Sequence, residues 1–111
     1  MNYIRVALCG GFILAGLLLF CGTAAEAQSG AAGAYKASCA ECHGANGGAN
    51  TAMGRSLGMR DLRSPEVQKR TDADLTDIIT NGMATMPPFK DKLTKRQIQE
   101  MVAYLRTIAK K

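Results

Sequence analysis

The 111-residue sequence predicts an all-α fold, built of three or four short helices that long loops connect. Helix-capping residues recur from Ser29 onward, and apolar residues near the end of the chain repeat at the spacing of a helix. No segment alternates apolar and polar residues as a half-buried strand would. Loops of this length are uncommon in so small a domain, so we expect them to enclose a bound group.

Residues 1–27 have the pattern of a secretory signal peptide. Arg5 provides the positive start, residues 6–20 are apolar apart from glycines, and residues 25–27 place alanine at the two positions that a signal peptidase inspects. We expect cleavage before Gln28, which places the mature protein in the periplasm. The apolar run is shorter than the roughly 20 residues of a spanning helix, so we favour cleavage over an uncleaved membrane anchor.

The mature domain, residues 28–111, is short and poor in aromatic side chains, since the whole chain has no Trp, 3 Tyr and 3 Phe. A chain of this size builds a thin core and usually needs a disulfide, a metal or a cofactor. Its length and its net charge of +5 exclude a multidomain enzyme, an acidic disordered tail and a polytopic membrane protein. Lipidation at Cys21 is disfavoured, because bulky Phe20 stands where a small residue is needed.

The first predicted helix covers about residues 30–42, with Ser29 as its N-cap. Residues 44–58 contain five glycines and are expected to form a loop. A short second helix begins at Ser64-Pro65, because proline is favoured at the first helical position.

The third predicted helix follows an acidic variant of the capping box, in which Thr71 pairs with Asp74. Its apolar side chains share one face, and Asn81-Gly82 ends it. Residues 83–89 contain two consecutive prolines, so we expect this segment to be extended.

The last predicted helix begins at a second capping box, formed by Thr94 and Gln97. One face is a core-facing stripe made of Ile98, Met101, Val102, Leu105 and Ile108. Beside it lies a basic face made of Lys95, Arg96, Arg106 and Lys110. This basic face is either an ordinary solvated surface or a docking surface for an acidic partner.

The mature chain keeps two of four cysteines, since Cys9 and Cys21 lie in the signal. The remaining pair, Cys39 and Cys42, is followed directly by His43, and this Cys-x-x-Cys-His spacing is typical of c-type haem attachment. Two thiols one helical turn apart lie on one face, where each can add to a vinyl group of the same porphyrin. The adjacent imidazole is placed to ligate the iron.

Two other uses of paired cysteines are less consistent with the sequence. A thioredoxin-like redox pair requires a βαβ context, and no strand is predicted. A structural zinc site requires four ligands, whereas His43 is the only histidine and no second cysteine pair follows.

Three segments together resemble the small class I c-type cytochromes, monohaem proteins of bacteria: residues 39–44, Met86-Pro87-Pro88-Phe89 and Val102-Ala103-Tyr104-Leu105-Arg106. The resemblance covers nearly all of residues 28–111. It implies a cytochrome c-like fold wrapped around one covalent haem, with the iron ligated by histidine and methionine.

Carried over residue by residue, the resemblance makes Cys39 and Cys42 the thioether attachments, His43 the proximal iron ligand and Met86 the distal one. The alternative thioether donors are Met53, Met59, Met83 and Met101. We favour Met86 over Met83, because the following prolines hold the segment extended and stiff.

The family resemblance also extends to residues around the motif. Tyr35 matches the family's aromatic that packs against the terminal helix, and Ala31 stands where a glycine is common. Arg55 replaces a proline whose carbonyl, in the family, receives the histidine N–H. Three loop arginines either neutralise haem propionates or are solvated, and we favour solvation for each: Arg55, Arg60 and Arg63.

The function predicted from these features is one-electron transfer, not enzymatic catalysis, by a periplasmic monomer whose partners are redox proteins with acidic docking surfaces. We expect no nucleic-acid binding, because the basic residues are not interleaved with aromatics. The alternative is a haem enzyme or gas sensor with an open distal site, which requires that no methionine reaches the iron.

Overall fold

A computed structural model describes residues 23–110 of the chain, and the fold in this range is helical. The elements are α1 (Thr23–Ser38), α2 (Ala40–His43), α3 (Ala52–Ser56), α4 (Pro65–Gln68), α5 (Asp72–Asn81) and α6 (Lys95–Thr107). The all-α prediction is confirmed, and the described residues form six helices where three or four were expected. Most of the predicted signal peptide lies outside the described residues. Within them, no helix is long and apolar enough to cross a membrane.

Two predicted boundaries differ from the structure. The single helix expected over 30–42 begins at Thr23 instead and is divided at Cys39, whose φ of −119° departs from helical values and separates α1 from α2. The glycine-rich loop contains the unpredicted helix α3, which begins where the Thr51 hydroxyl accepts a hydrogen bond from the Gly54 N–H at 2.8 Å.

The other helix starts agree with the sequence. Pro65 lies in the first turn of α4. In α5 the Thr71 hydroxyl accepts from the Asp74 N–H while the Asp74 carboxylate accepts from the Thr71 N–H. Thr94 and Gln97 form the same reciprocal pair at α6. Each box satisfies two N–H groups that a helix start leaves without partners.

The core lies where α6 packs against α1 and α5. Four residues of the predicted stripe on α6 are buried, and Met101 is only 1% exposed. Tyr35 of α1 is equally buried and its ring lies 5.3 Å from that of Tyr104 on α6, centroid to centroid. Ala31 is buried at the same crossing and lets the two helices approach closely. The core therefore joins the two ends of the described chain.

The basic face predicted on the last helix is largely used inside the molecule. Arg106 donates to the Asp72 carboxylate at 2.7 Å and to two backbone carbonyls, Gln68 O at 2.9 Å and Arg70 O at 2.6 Å. The other two paired side chains are Arg96, 3.6 Å from Glu100, and Lys110, 2.8 Å from Asp61. Within residues 23–110, Lys95 alone of the four has no ion-pair partner.

Asp61 anchors the end of the chain to the middle loop. Its carboxylate accepts from Arg63 Nε at 2.9 Å and Arg63 Nη2 at 3.0 Å, and Lys110 Nζ lies 2.8 Å away. The hydrogen bonds from Arg63, and then from Lys110, hold the pKa of the Asp61 carboxyl well below its usual range. A lowered folded-state pKa contributes stability above the unfolded pKa of about 3.9, and this contribution is lost as the pH falls.

Replacement of Asp61 by Asn should therefore lower the Tm at neutral pH by a few degrees, since an exposed ion pair contributes about 1 kcal/mol or less. The difference from the parent should narrow below about pH 4. Thermal melts at pH values on both sides of this range measure it. Asp91→Asn is the control, because Asp91 is exposed and has no ion pair within the described residues. A Tm difference that persists unchanged in acid would contradict the account.

Candidate haem site

A cleft between α2, α5 and the segment after α5 is lined by His43 and Met86 throughout. It consists of two open cavities of about 340 and about 400 Å³ and a small apolar void of about 60 Å³. Cys39 and Cys42 line the first cavity, and Cys39 also lines the void. The structure thus brings all four residues proposed to hold haem to one cleft.

The small void is enclosed almost entirely by carbon. Besides residues of the Cys-x-x-Cys-His turn, its walls include Leu62, Leu75, Ile78, Ile79, Phe89 and Leu93. Walls of this kind make favourable dispersion contacts with an apolar group that fits between them. A flat apolar body such as a porphyrin would make such contacts, and this chain has few aromatic side chains of its own to do so.

The Cys-x-x-Cys-His turn places its thiols at the cleft. The Cys42 and His43 N–H groups both donate to the Cys39 carbonyl, at 3.2 and 2.9 Å. Both thiols are free and half-buried. Burial, reinforced by the charge of Cys42, raises the pKa of the Cys39 thiol to about 11. A reactive redox pair needs a lowered thiol pKa, so the burial of Cys39 does not favour the thioredoxin-like alternative.

The His43 imidazole is suited to metal ligation. Burial lowers its pKa, which favours the neutral form that binds metals. Its buried Nδ1 has no hydrogen-bond partner within residues 23–110. The Arg55 carbonyl accepts from the Gly58 N–H at 3.3 Å and does not orient the ring, unlike the family's proline carbonyl. His43 thus lines the cleft with a side chain whose burial favours the neutral form, which fits a ligand of a haem iron.

Other residues hold the Cys-x-x-Cys-His turn in place by donating hydrogen bonds to its backbone carbonyls. The Ala49 N–H donates to the His43 carbonyl at 2.7 Å. The Tyr35 hydroxyl donates to the Gly44 carbonyl at 2.8 Å. The pKa of Tyr35 is raised, chiefly because the side chain is buried. Tyr35 thus positions the histidine as well as filling the core.

The glycine-rich loop closes over the same turn. The Thr51 hydroxyl donates to the Cys42 carbonyl at 3.1 Å. Gly54 is packed so closely on that carbonyl that a Cβ at this position would collide with it. Any larger residue at 54 would push the loop away from the cysteines.

Met86 is carried on a tight turn and not on the fully extended segment that the two prolines predicted. Met83 and Met86 exchange backbone hydrogen bonds of 3.1 and 2.9 Å, and Ala84 between them has a φ of 52°. Gly82, at a φ of 78°, allows the turn, because a Cβ there would lie 2.6 Å from the Met86 carbonyl.

Among the five methionines of the described residues, Met86 is the one that lines all three parts of the cleft. Met83 is 47% exposed and lines one cavity. Met59 lines the two open cavities, Met101 lines only the void, and Met53 is 44% exposed and lines none of the three. The geometry thus favours Met86 as the second ligand.

The three loop arginines are neither simply solvated nor directed to the cleft as a group. Arg55 donates to the Asn50 carbonyl at 2.8 Å, Arg63 pairs with Asp61, and Arg60 pairs with Glu66. Within residues 23–110 no three His, Cys, Asp or Glu side chains cluster as a metal site, so the zinc alternative gains no support there.

Comparisons with known proteins identify a family and a similar fold. The family model described as "Cytochrome C oxidase, cbb3-type, subunit III" matches residues 25–105. The solved structure of the KustC0563 c-type cytochrome is similar, with 33% sequence identity and a TM-score of 0.67, over 72% of this chain and 98% of that one. No curated protein matches the sequence. Because the family model spans most of the chain and the fold agrees, this protein belongs to the c-type cytochromes, whose haem transfers electrons.

Proposed function

We propose that the protein is a periplasmic one-electron carrier with one haem c, bound through thioethers to Cys39 and Cys42 and ligated by His43 and Met86. The observation that carries the proposal is the convergence of the Cys-x-x-Cys-His turn and Met86 on one apolar cleft. When bound, the haem supplies an iron couple that changes by one electron.

The residues of the cleft suit electron transfer. Its apolar walls provide a low-polarity environment, which disfavours the more charged ferric state. A thioether such as Met86 raises the reduction potential relative to a second imidazole. The hydrogen bonds to the carbonyls of residues 42–44 hold the histidine in place, so little rearrangement accompanies the change of charge.

The alternative, a haem enzyme or gas sensor, requires an open position beside the iron. Met86 lines every part of the cleft, and the chain contains no second histidine to act as an acid or base there. Both observations support a closed site with two protein ligands.

We further propose that an acidic redox partner docks at the mouth of the cleft and not along α6. Leu57 and Met83 are exposed at the mouth, by 40% and 47%. Lys92 lines the cysteine-side cavity, and its ammonium lies 5.6 Å from the centre of the Phe89 ring. An apolar contact beside positive charge fits a partner with an acidic rim. The predicted signal peptide supports export of the carrier to the periplasm, where we propose that it acts as a monomer.

The double variant Cys39→Ala, Cys42→Ala should lose covalent haem, because no thiol remains at the cleft. Haem staining after denaturing electrophoresis measures it, and the stain should fall to background. Ser38→Ala, at an exposed neighbouring position, is the matched control and should stain like the parent. Parent-level staining of the double variant would overturn the covalent attachment.

Replacing Met86 by Ala should remove the far-red sulfur-to-iron absorption band, allow cyanide to bind and lower the reduction potential, since the thioether is lost. Met83→Ala tests the neighbouring methionine on the same turn. The absorption band, the cyanide binding and the reduction potential of this variant should stay close to those of the parent. The opposite pattern would assign the ligand to Met83. Loss in neither variant would direct attention to Met59.

Electron transfer to an acidic redox protein should slow by about tenfold as salt rises, because screening shortens from roughly 30 Å at low salt to about 8 Å at physiological ionic strength. Stopped-flow rates across this range measure the effect. Lys92→Gln should flatten the salt dependence, whereas Lys95→Gln on α6 should not. A salt-independent parent rate, or an effect confined to Lys95, would contradict docking at the cleft mouth.

A further inference from the structure

The larger open cavity of the cleft contains two arginines and neither cysteine. Arg60 and Arg70 line it, together with His43 and Met86. The cysteine-side cavity is lined by Cys39 and Cys42 and by no arginine. The two ends of the cleft therefore differ in chemistry.

Of the two arginines, Arg70 has its side chain available. The Arg60 guanidinium is paired with Glu66. The half-buried Arg70 guanidinium makes no side-chain hydrogen bond or ion pair within the described residues. The charge of Arg70 helps to lower the pKa of the Asp74 carboxyl. The Asp74 carboxylate is nevertheless hydrogen-bonded to Thr71 and forms no ion pair with Arg70.

The backbone of Arg70 is fixed from both directions. Its N–H donates to the Val67 carbonyl at 3.1 Å, and its carbonyl accepts from Arg106 Nη2 at 2.6 Å. A fixed backbone and a free guanidinium facing a partly apolar cavity suit a carboxylate, because the planar donors of arginine bind both oxygens at once.

The cysteines determine which edge of a haem lies toward Arg70. Thioethers form at the vinyl groups on two neighbouring rings, and the two propionates of haem hang from the other two rings. The propionate edge therefore belongs at the cavity that the cysteines do not line. We infer that Arg70 binds a haem propionate and holds it ionised; this inference rests on the proposed covalent haem at Cys39 and Cys42.

An ionised propionate beside Arg70 has a consequence for the redox couple. Reduction adds negative charge and favours proton uptake by any nearby carboxylate that is free to titrate. An adjacent cation lowers the pKa of a carboxylate by about 1–3 units. With Arg70 in place, the reduction potential should be independent of pH in the neutral range and become pH-dependent only in acid.

The experiment measures the reduction potential of haem-loaded protein by spectroelectrochemistry from about pH 4 to about pH 9. In Arg70→Gln, the onset of pH dependence should move up by about 1–3 pH units, as the propionate pKa rises. Lys69→Gln removes the same charge from an exposed neighbour and should leave the onset unchanged. Arg60→Gln, in the same cavity, should also leave it unchanged. Arg70→Lys retains the charge and should shift the onset less than Arg70→Gln.

The experiment separates an error in the role of Arg70 from an error in the proposed function. A haem-loaded parent with an unchanged onset in Arg70→Gln, or a shift found only in Arg60→Gln, would overturn the role of Arg70 and leave the electron carrier intact. Absence of covalent haem from the parent would overturn both the proposed function and this inference. If Arg70→Gln does not retain haem, the parent decides: an onset of pH dependence in acid would support the proposal, and an onset in the neutral range would overturn it.

Discussion

Three consecutive backbone carbonyls, those of Cys42, His43 and Gly44, accept hydrogen bonds from two other parts of the chain, the glycine-rich loop and α1. The donors are the Thr51 hydroxyl, the Ala49 N–H and the Tyr35 hydroxyl. The turn that carries both thiols and the imidazole is too short to be stable as an isolated helix, so these bonds fix its geometry. These donors are in place because the glycine-rich loop closes over the turn, α3 begins at Thr51, and α1 packs beside the turn through Tyr35.

Local signals in the sequence predicted the parts of the fold that are locally determined. The capping boxes at Thr71 and Thr94 pair residues three positions apart, and both are formed as expected. The Cys-x-x-Cys-His motif is also local, since its five consecutive residues are enough to predict haem attachment. Helix α3 was missed because five glycines outweighed one capping signal, the Thr51 hydroxyl that accepts from Gly54.

The remaining differences arise from long-range contacts. The turn at Met83 depends on a positive φ at Ala84. Alanine rarely adopts this conformation, so the residue type at position 84 did not predict a turn. The basic face of α6 was expected to be either solvated or a docking surface, but Arg106 reaches carbonyls that are distant in sequence. Helical spacing shows which side chains share a face, whereas their partners depend on the tertiary structure.

The packing of α1 against α6 also bears on the order in which the molecule is completed. The helix that precedes the cysteine turn finds its main partner almost at the other end of the chain, where Tyr104 meets Tyr35. During synthesis from the N-terminus, the turn therefore emerges long before α6 can cover its flank. Over that interval the thiols stand in an open segment, accessible to any group that would bind there, and the arrival of α6 then closes the core behind them.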